Sequence, residues 1–145
     1  MRAVVQRVRR GKVSVDGRTV AEIGPGMVIL LGIGHQDSEA VARALAEKVA
    51  FLRIFEDDQG KMNRSIRDVN GSAIVVSQFT LYADTRKGRR PSFIDAALPD
   101  VARPLVDHFA AHLAELGVPT QTGEFAANML VEIDNDGPVT ILLEM

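Results

Sequence analysis

Two continuous apolar runs, "GMVILLGIG" (26–34) and "GSAIVVSQFTLYA" (71–83), constrain this 145-residue chain more than any other feature. A strand with one face in water alternates apolar and polar residues. An unbroken Val/Ile/Leu run suits a strand covered on both faces. Turn formers bound both runs: Gly24-Pro25-Gly26 and Gly34 flank the first, and Asn70-Gly71 opens the second. The other strand signals alternate. "AVVQRVRRGKVSVDGRTVAEIG" repeats Val4/Gln6/Val8 and then Val13/Val15, with Asp16-Gly17 as a hairpin turn. "ANMLVEIDNDGPVTILLEM" reads as two more strands about a Gly137-Pro138 turn.

Two helices complete the pattern. Val41, Leu45, Val49 and Leu52 recur at helical spacing after Asp37 or Ser38 as N-cap. Leu105, Phe109, Leu113 and Leu116 form a second stripe, with Pro104 expected in its first turn and Gly117 just past its end. Runs of strands with only two long helices predict an α+β fold. The expectation is one domain, 1–145, with mixed or antiparallel sheets in a barrel-like or layered core. A plain βαβ repeat needs more helices.

Composition narrows the chemistry. No stretch reaches the roughly 18 apolar residues of a membrane span, and the basic N-terminus lacks the apolar core of a secretory signal. With no cysteine there is no disulfide, thiolate nucleophile or Cys-based metal site; a cytoplasmic setting fits. The net charge of -2 hides an asymmetry. Residues 1–94 hold 16 of the 17 Lys+Arg, whereas residues 95–145 hold only Arg103 against nine acids. The first two-thirds can therefore present a basic face.

The histidines form no constellation. His108 and His112 share a helix face, but Phe109 stands where a zinc helix needs glutamate, and no third ligand is evident. His35 follows a strand end alone. No metal or cofactor is expected, and neither a Walker loop nor a nucleophile elbow is present. Two basic segments differ. "DTRKGRRPSF" crowds Arg86, Lys87, Arg89 and Arg90 onto a loop after the second apolar run, and "QGKMNRSIRD" carries Lys61 and Arg64. Crowded bases repel one another, so they suit either an anionic partner or plain solvation. Ser77, Gln78 and Thr80 interrupt the apolar run, and in a central strand each needs a hydrogen-bond partner or a ligand.

"SQFTLYA", "KGRRPSF", "GEFAANM" and "NDGPVT" together resemble the D-aminoacyl-tRNA deacylases, and the likeness extends from "MRAVVQRV" to the C-terminus. Ala83 stands where many members of that family carry glycine. The resemblance implies a homodimer that hydrolyses the ester joining a D-amino acid to the terminal ribose of tRNA, and that also removes glycine mischarged on alanine tRNA. It implies no cofactor, no membrane, and tRNA rather than DNA as partner. Carried over, Gly137 and Pro138 form a cis step that enters the partner subunit's pocket and rejects L-amino acids. Ser77, Gln78, Phe79 and Thr80 line that pocket, with backbone amides holding the developing oxyanion. The resemblance favours substrate orientation, aided by the RNA ribose hydroxyl, over Thr80 as nucleophile. Arg86, Lys87, Arg89 and Arg90, with Lys61 and Arg64, would hold acceptor-end phosphates. Two rival readings are a non-catalytic RNA-binding module and a small-molecule-binding dimer.

Overall fold

Alternation at the N-terminus builds one long strand, β1 (Arg2–Val15). Asp16 and Gly17 then turn the chain, both at positive φ (50° and 78°), into β2 (Arg18–Ile23). Two successive left-handed residues match the right-handed twist of a hairpin, and Asp-Gly tolerates them. Next come β3 (Gly26–Gly32), α1 (Glu39–Ala50), and the short β4 (Phe55–Glu56) and β5 (Met62–Arg64). β6 (Ser72–Ser77), a 3-10 turn (Phe79–Tyr82), α2 (Pro99–Glu115), β7 (Thr120–Thr122) and β8 (Leu130–Glu144) complete the fold. This computed structural model describes all of residues 1–145.

Six strands form one mixed sheet in the order β2-β1-β3-β6-β7, with β8 also paired to β1. β3, β6 and β7 run parallel, while β1 is antiparallel to β2, β3 and β8. The two apolar runs became the central β3 and β6, covered on both faces as expected. Met27, Ile29, Leu31, Ala73 and Val75 meet Leu45, Val49, Phe109 and Leu113 of the helices. On the other face, Val28, Ile74 and Val76 meet Val8, Val13, Ala21 and Ile23. That second layer exists because β1 changes partners along its length: Arg2–Val8 pair with β3, and Gly11–Val15 with β2. The sheet thereby folds over its own centre and nearly closes like a barrel.

The helix ends follow local chemistry. Ser38 caps α1, its hydroxyl accepting the Val41 N–H at 3.4 Å. α2 closes with the Val118 N–H on the Leu113 carbonyl (3.3 Å) and the Gly117 N–H on that of Ala114 (2.9 Å). This is a Schellman motif, with Gly117 at φ +90°. Its start corrects the sequence reading, because Pro99 takes the first position and Pro104 lies inside the helix.

Two strand assignments also change. The second run does not remain extended to Ala83: β3 ends at Gly32, so β6 loses its partner at Ser77 and the chain curls into the 3-10 turn. Gly137-Pro138 is not a turn between two strands. β8 is one strand carrying a bulge, in which Asn135 pairs with Val8 and Thr140 already pairs with Gln6. Asn135 stitches the bulge from within, its Oδ1 accepting the Val139 N–H at 2.8 Å.

Candidate functional site

Ligands of parallel sheets gather beyond the carboxyl ends of their strands, and here the ends of β3 and β6 open into a recess. It encloses about 590 Å³ and is mainly apolar. Leu31 and Val76 contribute from the sheet and Ile33 from just past the end of β3, followed by Ser77, Gln78 and Phe79. The segment 125–129 supplies Phe125, Asn128 and Met129, and α2 contributes Ala102 and Val106. Phe79 and Phe93 meet edge to face at the recess, with ring centroids 5.1 Å apart.

The polar equipment sits where strand becomes turn. The Gln78 N–H is spent on the Leu31 carbonyl at 2.8 Å, so it is not available to a substrate. The first closing bond of the turn is Leu81 N–H to Gln78 carbonyl at 3.2 Å. The amides of Phe79 and Thr80 precede that bond and have no acceptor within the turn. Thr80 is exposed and lies outside the recess lining. Its hydroxyl accepts a hydrogen bond from the Gln78 side-chain amide, a group that cannot take a proton.

The turn is clamped from behind. Arg2 donates to the Leu81 carbonyl at 3.0 Å, lies 4.5 Å from the Tyr82 ring centroid and reaches Glu144 at 2.9 Å. The Tyr82 hydroxyl donates to Asp37 at 3.4 Å. Burial pushes the Tyr82 phenol up to about 12, and the Asp37 charge adds to the effect while Arg2 opposes it.

The basic loop is less uniformly free than its sequence suggests. Asp84 and Ser92 exchange backbone hydrogen bonds of 2.7 and 2.9 Å, which close it. Arg86 forks onto the Asp84 carboxylate at 2.9 and 2.8 Å. That fork, with the Arg86 amide, holds Asp84 at about 2. Arg86 is therefore a loop-closing group, whereas Lys87, Arg89 and Arg90 stand exposed at the tip. Lys61 and Arg64 belong to the separate β4–β5 hairpin, with Arg64 paired to Asp58 at 2.7 Å. None of the six bases lines the recess.

Gly137 and Pro138 are exposed, their peptide bond is cis, and Gly137 lies at φ +134°. Neither lines the recess of its own chain. The bulge is held by Arg7, which the sequence reading passed over. This buried guanidinium donates to the Asp136 carbonyl at 3.0 Å and to the Ile54 carbonyl at 2.7 Å. In "QRVRR" nothing separates Arg7 from Arg9 and Arg10 except strand parity: the odd positions before the first β1 irregularity, Ala3, Val5 and Arg7, all face inward.

A family model described as "D-Tyr-tRNA(Tyr) deacylase" matches residues 4–144. A "D-aminoacyl-tRNA deacylase" of Heliobacterium modesticaldum is 61% identical over 144 residues, covering 99% of this chain and 96% of that one. A solved structure titled "c-Myc DNA Unwinding Element Binding Protein" superposes with a TM-score of 0.93 at 39% identity, covering 100% of this chain and 99% of its own. At 18% identity, "a probable eukaryotic D-amino acid tRNA deacylase" shares the fold with a TM-score of 0.82, covering 99% of this chain and 98% of its own.

Proposed function

This chain belongs to the D-Tyr-tRNA(Tyr) deacylase family, and from that premise we propose a tRNA-editing ester hydrolase that removes D-amino acids, and glycine mischarged on alanine tRNA, from the acceptor end. The observation that carries this reading is a division of parts. The apolar recess with its adjacent free amides lies on one region of the chain, and the exposed Gly137-Pro138 bulge lies outside it.

β8 hydrogen-bonds β1 on one edge only, and an open edge of that length favours pairing with another chain. A second copy docked there would bring its bulge to the first copy's recess, making a homodimer with composite sites. The Gly137-Pro138 backbone then acts as a chiral gate. An L side chain meets main-chain atoms that cannot rotate away, whereas a D side chain points elsewhere. Glycine has nothing to exclude and passes. Rejection works by clash with the wrong substrate rather than by extra contact with the right one.

For the chemistry, an ester carbonyl becoming tetrahedral needs donors already aimed at its oxygen. The amides of Phe79 and Thr80 suit that role, while the engaged Gln78 amide does not. Ser77 and Gln78 shape the recess, and Thr80 is held by Gln78 without a neighbouring base. The protein therefore orients the substrate, and the adjacent ribose hydroxyl of the RNA helps activate water. That hydroxyl distinguishes an RNA substrate from DNA. Lys87, Arg89 and Arg90, with help from Lys61, attract the acceptor-end phosphates; Arg86 and Arg64 contribute less because each is already paired.

The test is deacylation of matched D-, L- and glycyl-tRNA by the purified chain. D and glycyl esters should be cleaved at least ~100-fold faster than L, the size of a clash worth ~2.7 kcal/mol. Equal cleavage of D and L esters would overturn the gate. Salt-sensitive binding without cleavage would favour an RNA-binding module instead.

A further inference from the structure

Beside the apolar recess lies a second one, of about 450 Å³, that the proposed chemistry leaves unused. Ser77, Val106 and Phe125 belong to both linings, so the two are immediate neighbours. The character of the second is polar, with Arg103, Asp107, Thr122 and Glu124 in its wall. Glu124 is already taken by Arg18 at 3.1 Å. Arg103 and Asp107 have no ion-pair partner. Arg103, the only Lys or Arg among residues 95–145, instead lays its guanidinium over Phe125, 5.0 Å from the ring centroid.

A guanidinium stacked on an aromatic ring extends a flat shelf on which a nucleobase can lie. A free carboxylate beside that shelf accepts from an exocyclic amino group and repels a carbonyl at the same position. The shelf, the carboxylate and the shared wall call for an amino-bearing base next to the nucleoside in the first recess. Mature tRNAs end in C-C-A. We propose that the second recess binds the cytidine preceding the terminal adenosine, its base stacked on Arg103 and its amino group donating a hydrogen bond to the Asp107 carboxylate. The assignment rests on the first recess holding the aminoacylated terminal nucleoside. It sends the acceptor strand past α2 and β7, in addition to any contact it makes with the basic loop.

Calorimetric titration of the intact protein with the dinucleotides CpA and UpA and with adenosine 5′-monophosphate tests it. CpA should bind about tenfold more tightly than the mononucleotide, the effect of one stacked base. UpA should bind about threefold or more below CpA, and Asp107→Asn should erase that difference. Arg103→Ala should reduce the CpA-to-mononucleotide ratio to within about twofold. Arg103→Lys should do the same, because it keeps the charge and loses the plane. Equal binding of CpA and the mononucleotide by the unmodified protein overturns the subsite. So does a ratio that survives Arg103→Ala, and a ratio retained by the lysine variant overturns the stacking. D-aminoacyl-tRNA hydrolysis measured in parallel separates the two readings. Hydrolysis without a CpA preference leaves the enzyme and removes the subsite; a CpA preference without hydrolysis does the reverse.

Discussion

At the scale of single residues, Tyr82 and Arg7 carry the most consequence for the site. Tyr82 is the chain's only tyrosine and there is no tryptophan, so an ultraviolet titration reads this one phenol. Its midpoint should lie near 12 rather than 10. The sign follows: the fold favours the neutral phenol, so its contribution is complete below pH 10 and is lost as pH rises from 10 to 12. Tyr82→Phe should remove that alkaline sensitivity, and a midpoint near 10 in the unmodified protein would contradict the burial argument. Arg7 is a stability question as much as a functional one. Arg7→Ala strips the Asp136 and Ile54 carbonyls of their donors, and urea unfolding should show a loss of about 2–4 kcal/mol. A change under about 0.5 kcal/mol would mean that the bulge holds itself.

At the scale of elements, the join between β3 and β6 is the least tolerant point. Gly26 opposes Ser72, and a Cβ placed on Gly26 would lie 1.8 Å from the Ser72 carbonyl oxygen. That neighbour is backbone in a parallel pair and cannot swing aside. Gly26→Ala should cost more than about 3 kcal/mol or abolish soluble expression. Gly24→Ala, two residues earlier with nothing within 4 Å of its added Cβ, should be tolerated. Thermal melts of the pair decide it. The elements were largely legible because their signals are local: the Asp-Gly hairpin, the Ser38 cap and the Gly117 terminus each depend on a few adjacent residues. In two places a distant partner decided instead. β6 stops at Ser77 because β3 stops at Gly32, and the Gly-Pro step became a bulge because β1 supplies a continuous partner on either side of it. Pro104 was misplaced because Pro99, five residues earlier, takes the first helical position.

At the scale of the whole molecule, the open edge of β8 sets the expected assembly. Leu130 and Leu142 are 66% and 69% exposed on that strand, a cost that burial against a second chain would remove. On the composite-site reading proposed above, Leu130→Glu with Leu142→Glu should shift sedimentation from twice the chain mass to the chain mass and abolish deacylation, since each recess would lose its gate. An active monomer would sink the composite-site reading. The same scale explains what of the site was readable. The Ser77–Thr80 stretch and the Gly-Pro step stand out through the family resemblance. Arg7, Phe93, Arg103 and Phe125 act through tertiary neighbours that no local pattern names. One consequence of the bulge concerns length. From Asp134 to Thr140 β8 takes six residue steps while β1 takes four, from Arg10 to Gln6. On either side, odd-numbered residues point inward: Val131 and Ile133 to one core layer, Val139, Ile141 and Leu143 to the other. Because a strand repeats every two residues, a single insertion or deletion here would turn one of those sets out to water unless a further bulge absorbed it. The segment therefore changes length either in pairs or with a compensating bulge, which ties the reach of Gly137-Pro138 to the register of both flanks.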